Sequence, residues 1–192
     1  MQYDLDYYEN MLRTYSATAE HICRVRWEFV KPALDDGCKT ILDYGSGVGW
    51  FRAWRPQGVE VYTYDVAAYP QTGHHPEDIY DLVTLWDVLE HLDDFHLVGA
   101  LIQDAKYAAV TVPLRPTGTP LASWKHFKPG EHLHYFTMDT LSALFARYGM
   151  QVVKHGAPEC PPRQDVVSAL FRRGEATVQE SRTVQREERT PG

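Results

Sequence analysis

Between Ile41 and Phe51 the chain reads Ile-Leu-Asp-Tyr-Gly-Ser-Gly-Val-Gly-Trp-Phe, an apolar run broken by three alternating glycines. Glycine is needed where a backbone must turn sharply and let a bound molecule approach closer than a Cβ permits. The amides that open a following helix then point at any polar group lodged there. Spacing narrows the ligand. A dinucleotide loop needs G-x-G-x-x-G, but the third position is Trp50 counting from Gly45 and Arg52 counting from Gly47. A P-loop needs Gly-Lys-Ser/Thr after the turn, and none follows. What remains is D-x-G-x-G-x-G, beginning at Asp43. A second acid, Asp65, follows twenty residues after Gly45 at the end of an apolar run. A carboxylate there can accept both hydroxyls of a ribose.

Histidine is the side chain whose charge changes near neutral pH, so His91, His126, His132 and His134 are candidates for moving a proton. His132 and His134 stand at i, i+2 and share a face if that piece is extended. They read as a base with a helper, or as two ligands of a metal site with Glu131 or Glu90. A hydrogen-bonded structural histidine accounts equally well for each taken singly, and no metal is expected. Trp124 and Tyr135 suit the wall of a flat or sugar-like acceptor, or a plain hydrophobic core.

These residues need a frame. Thr40–Tyr44, Val59–Tyr64, Asp81–Trp86 and Ala108–Val112 are short apolar runs that read as buried strands of a mainly parallel sheet. Met150–His155 and Val166–Arg172 add two more after a Pro-rich turn. Helices are predicted after Gly49, over about residues 93–104, and from Thr137, with Leu141, Leu144, Phe145 and Tyr148 as a buried stripe. Residues 1–33 read as a helical cap of two helices, the second capped by Ser16 or Thr18 and ended by Pro32. Strands alternating with helices predict an α/β, doubly wound, Rossmann-like sheet over residues 34–172. Residues 113–136 form a long Pro- and aromatic-rich excursion expected to cover substrate, and 173–192 a polar, flexible tail.

The chain's 192 residues suit one such domain. Its 19 Lys and Arg against 26 Asp and Glu give a formal net charge of −7, unlike a general phosphate-backbone binder. The sequence has neither a membrane-length apolar run nor a signal-peptide pattern. Cys23, Cys38 and Cys160 form no CxxC pair, which suggests reduced thiols in a cytoplasmic protein and no zinc site.

The glycine motif resembles the first motif of the class I S-adenosylmethionine-dependent methyltransferases. Two further stretches are similar to the small-molecule branch that includes quinone-biosynthesis O-methyltransferases. Tyr80-Asp81-Leu82-Val83-Thr84-Leu85-Trp86-Asp87-Val88-Leu89-Glu90-His91-Leu92 looks like the branch's "yDlv…evLEHl", and Glu131-His132-Leu133-His134-Tyr135-Phe136-Thr137 like its "HlhyFt". The resemblance runs from about Thr40 to Arg172. It implies S-adenosylmethionine as cofactor and a sheet whose last strand is antiparallel. It also implies that Asp43 helps hold the methionine amino group, that Gly45, Ser46, Gly47 and Gly49 line the close approach, and that Asp65 binds ribose with Val66 near adenine. Backbone around Trp86 and Asp87 would contact the methionine portion. Catalysis would fall to His91, His132 or His134, and acceptor binding to Trp124, His126 and Tyr135.

The sequence departs from the pattern in one stretch. Only fourteen residues separate Asp65 from Tyr80, so the third-strand region is expected to be abbreviated; Asp78 is the candidate adenine acid there. The Asn/Asp-Pro-Pro-Tyr/Phe of amino-group DNA methyltransferases is absent, Trp86-Asp87-Val88-Leu89 standing in its place. So is a Pro-Cys nucleophile loop. The expected activity is therefore methyl transfer to a small molecule, with oxygen favoured. A nucleotide or sugar acceptor, an inactive cofactor-binding partner subunit, an NAD-dependent oxidoreductase and a homodimer are alternatives left open.

Overall fold

A computed structural model describes residues 5–66, 79–161 and 163–174. Six strands form one sheet: β1 (Thr40–Tyr44), β2 (Glu60–Tyr64), β3 (Leu82–Trp86), β4 (Tyr107–Pro113), β5 (Met150–Gly156) and β6 (Val166–Arg173). Their spatial order is β2-β1-β3-β4-β6-β5. The first four are parallel, with Ile41 beside Val61 and Leu82, and Leu82 beside Tyr107. Hairpin geometry then turns β6 antiparallel to both β4 and β5. All six runs read from the sequence are strands, and the last is antiparallel as expected. The predicted shortening between β2 and β3 falls on residues 67–78, outside the described residues.

Alternate strand residues feed two cores, as a sheet covered on both faces requires. Leu42, Val83, Leu85, Ala108, Val110 and Phe171 pack with α3 (His96–Ile102) and α4 (Met138–Ala146), where Phe145 stacks on Phe171 at 4.0 Å. Ile41, Leu82, Trp86, Tyr107, Ala109 and Leu170 face the other way. They pack against Trp27, Phe29, Val30 and Ala33 of α1 (Leu5–Asp35) and Phe51 of α2 (Trp50–Ala53). Thr137 caps α4 in a reciprocal capping box with Thr140. Gly149, two residues beyond the Arg147 C-cap, turns the chain away from the helix at φ 73°.

The two predicted N-terminal helices are one. Pro32 lies inside α1 rather than ending it. A proline cannot donate to the carbonyl four residues back, here that of Glu28. Lys154 of β5 supplies donors instead, its Nζ lying 3.4 Å from the Glu28 carbonyl and 3.0 Å from that of Phe29. The helix therefore continues through Asp35, and its second half is part of the sheet's core.

Strand order reverses at β1, with β2 on one side and β3 on the other. A parallel sheet opens a crevice beyond its carboxyl ends at such a point. The glycine motif leaves β1 there, Asp65 ends β2, and Trp86 and Asp87 end β3.

Candidate active site

The glycine loop is shaped by backbone that other residues adopt only with strain. Gly45, Gly47 and Gly49 have φ of 73°, 53° and 76°. The amides of Gly45 and Ser46 both donate to the Tyr64 carbonyl, at 2.7 and 3.1 Å, folding the loop over the end of β2. A Cβ on Gly45 would stand 2.4 Å from Val88 Cγ2, whereas one on Gly49 would meet nothing within 4 Å. The loop is thus pressed against the exit of β3 at one glycine and open at the other. Asp65 is buried and accepts the Gly47 N–H at 2.8 Å, so the acid ending β2 reaches the loop itself. Val66 beside it is exposed. Asp78 lies outside the described residues.

Asp43 is buried inside the crevice floor and accepts the Thr84 hydroxyl at 2.8 Å. Burial pushes its carboxyl up to about 6, against the pull of the Thr84 bond and the Arg26 charge.

Asp87 follows β3 in a left-handed conformation, φ 60°. Its carboxylate is gripped from two distant elements. Arg26 of α1 donates to Oδ2 at 3.0 Å, and Arg163, from the β5–β6 connection, donates to both oxygens at 2.8 Å. Glu159, 1% exposed, bridges the two arginines and accepts Arg26 Nε at 2.6 Å. Burial resists ionisation of Asp87, but Arg163 and then Arg26 hold it below the usual carboxylate range. The Arg26 guanidinium also lies 4.9 Å from the Trp86 ring centroid, a cation–π contact. Nothing local in the sequence marks Arg26, Glu159 or Arg163, because the three meet only through the fold.

Beyond Asp87 a 3-10 turn, Leu89–His91, brings a second set together. The Glu90 carbonyl accepts the amides of Leu133 and His134 at 2.7 and 3.2 Å, tying the residue 131–134 segment to the turn. His91 Nδ1 bonds the Glu131 carbonyl at 2.9 Å, and the His91 and His132 rings stand 4.9 Å apart, edge to face. One ligand atom from each of Glu90, His91 and His132 lies within 4.8 Å of the others. Burial, joined by the Asp87 charge, pushes the Glu90 carboxyl up to about 8. Burial also lowers the pKa of His132, as do the His91 and Lys128 charges, so its ring is neutral near pH 7.

An aromatic wall adjoins this set. Tyr135 packs near His132 at 6.4 Å and Trp124 at 6.0 Å, and His126 meets the Trp124 edge at 5.3 Å. Among the described residues, six buried side-chain atoms make no hydrogen bond: Trp86 Nε1, Glu90 Oε2, Trp124 Nε1, His126 Nε2, His132 Nδ1 and the Tyr135 hydroxyl. Buried polar groups are ordinarily paired, and Trp124, His126, His132 and Tyr135, four of the six residues, adjoin one another. His134 stands apart. Its Nε2 donates to the Leu92 carbonyl at 2.8 Å while the ring packs on Phe95 at 4.3 Å. Residues 132–135 adopt no strand, so the i, i+2 spacing does not put His132 and His134 on one face.

A methyltransferase-domain family model matches residues 15–155. The chain belongs to that family. Its fold is the class I, Rossmann-like one, as comparison with solved structures shows. A SAM-dependent methyltransferase from Archaeoglobus fulgidus aligns with a TM-score of 0.61 at 17% identity, covering 87% of this chain and 100% of that one. Magnesium protoporphyrin IX methyltransferase from Synechocystis PCC 6803, crystallised with SAH, gives 0.56 at 17% identity, over 80% and 84%. The CcbJ methyltransferase from Streptomyces caelestis gives 0.55 at 14%, over 80% and 90%. No curated protein matches the sequence. The narrower likeness to quinone-biosynthesis enzymes rests on the sequence motifs alone. Among the described residues no helix is long and apolar enough to cross a membrane.

Proposed function

We propose that the protein transfers a methyl group from S-adenosylmethionine to a hydroxyl oxygen of a small-molecule acceptor. The crevice fits that cofactor: Gly45, Ser46, Gly47 and Gly49 offer a Cβ-poor loop, and Asp65 lies beside it for the ribose with Val66 for the adenine face. Asp43, ionised above about pH 6, and the Trp86–Asp87 backbone serve the methionine end. S-adenosylmethionine supplies an activated methyl on its sulfonium. The protein's tasks are orientation, exclusion of water and removal of the acceptor's proton. Orientation is worth on the order of 7–11 kcal/mol of barrier, and a base about 10²–10⁴-fold.

One observation carries the choice of oxygen. A neutral imidazole, His132, stands beside His91 and Glu90 in a largely buried cluster that follows Asp87. A hydroxyl must lose its proton to attack well, whereas a neutral amine attacks with its lone pair already free. His132 or His91 is the base; His134, held by the Leu92 carbonyl, fixes the segment that carries His132. Trp124, His126 and Tyr135 bind the acceptor through ring faces and their unpaired polar atoms.

The test is S-adenosylhomocysteine formation with a panel of phenols, catechols, sugars and amines. Hydroxylated acceptors should turn over, and His132→Ala should lower kcat by about 100-fold or more while cofactor affinity holds. Turnover of amines alone, or full activity in His91→Ala and His132→Ala, overturns the reading.

A further inference from the structure

We infer that Glu90, His91 and His132 bind a divalent transition-metal ion of the zinc class, beside the aromatic wall that Tyr135 and Trp124 form. Their ligand atoms lie within 4.8 Å of one another, and they come from two chain segments locked together by backbone bonds to the Glu90 carbonyl. Metal–nitrogen and metal–oxygen bonds of about 2.0–2.2 Å hold ligand atoms about 3–4 Å apart. A contraction of about 1 Å at the widest pair therefore closes the site.

Three features favour an ion over a merely buried polar cluster. The first is orientation. His91 Nδ1 donates to the Glu131 carbonyl at 2.9 Å, which puts the neutral ring's lone pair on Nε2. Metal-binding imidazoles use such an outer bond to fix their tautomer. The second is unspent capacity: buried Glu90 Oε2 and His132 Nδ1 accept no hydrogen bond. The third is charge. Glu131 hangs 3.8 Å from His132 Nε2, and Asp87 has its charge balanced by Arg26 and Arg163. Lys128 is likewise drawn to Glu131, at 2.9 Å.

Two imidazoles and one carboxylate suit zinc, manganese(II) or iron(II) and not magnesium or calcium, which prefer all-oxygen sets. Three protein ligands leave coordination positions open. A hydroxyl bound there gives up its proton to bulk water more readily than a free one, as metal-bound water does. This inference rests on the proposed methyl transfer only for the identity of that hydroxyl; with the ion bound, His91 and His132 act on its proton as ligands of the metal, in place of the free imidazole base. Ion binding requires neither cofactor nor acceptor.

The experiment is calorimetric titration of the chelator-treated full chain with zinc chloride, without cofactor. Single-site binding is expected. Glu90→Gln and His132→Gln should weaken it by more than the about 10–100-fold that loss of an outer-shell partner costs. His155→Gln, on the exposed edge of β5, should leave it unchanged. No binding to wild type, or equal binding in the ligand variants, overturns the inference. Should a variant fail to fold, the wild-type imidazole NMR resonances decide: zinc must shift those of His91 and His132, and shifts confined to other histidines refute the site. S-adenosylhomocysteine binding in the same samples reports separately on the proposed function.

Discussion

Replacing Gly45 by alanine separates two requirements that the glycine loop imposes. At φ 73° an L-residue costs about 1–2 kcal/mol in backbone strain. The new Cβ would also stand 2.4 Å from Val88 Cγ2, against about 3.5–4.0 Å for carbon atoms in comfortable contact. Loop and β3 exit must part by about 1 Å, an overpacking that adds about 1–3 kcal/mol. Gly45→Ala should therefore destabilise by about 2–5 kcal/mol in all. Gly49→Ala shares the left-handed backbone, φ 76°, but meets open space, so about 1–2 kcal/mol is expected. Val88→Ala removes the obstructing methyls. Urea unfolding of the single variants and of the Gly45→Ala/Val88→Ala pair measures the coupling. The pair should be less destabilised than the sum of its parts by about 1–3 kcal/mol. Equal losses at Gly45 and Gly49, or strict additivity with Val88→Ala, would refute the packing account.

Other perturbations probe the neighbouring elements. The Asp43 carboxyl is raised to about 6 from an ordinary 3.8, so the native state holds the extra proton between those values. Stability should fall as pH rises across that window, by about 3 kcal/mol in all, and Asp43→Asn should remove that slope in pH-dependent unfolding. Glu159→Ala leaves Arg26 and Arg163 facing each other beside Asp87, and should cost about 3–5 kcal/mol in denaturant unfolding. Lys154→Met deprives the carbonyls near Pro32 of their donor, a loss of about 1–3 kcal/mol. That loss should shrink when Pro32→Ala restores the helix's own bond, as a double-mutant cycle would show.

What could be read in advance was local. Strand runs such as Val83–Leu85 and the Thr137 cap carry their signal within a few residues, through short apolar runs and capping chemistry. The glycine spacing at 45, 47 and 49 likewise announces a tight loop because only glycine takes those φ values without strain. The Arg26–Glu159 and Arg163–Asp87 pairs join residues 133 and 76 positions apart, and no periodicity connects them. Pro32 was legible as a helix breaker in isolation. Lys154, more than a hundred residues later, makes it tolerable. The histidines show the same limit: His132 and His134 were paired by spacing, yet an irregular backbone sends His132 to His91 and His134 to Phe95.

The account stands on the crevice at the ends of β1 and β2 holding an adenosyl group. Calorimetric titration of S-adenosylhomocysteine into wild-type and Asp65→Ala protein measures this directly. Single-site binding is expected in the wild type, weakened about tenfold or more when the carboxylate is removed, as loss of a hydrogen bond to a charged group dictates. No binding by the wild type, or equal affinity in the two proteins, would contradict it.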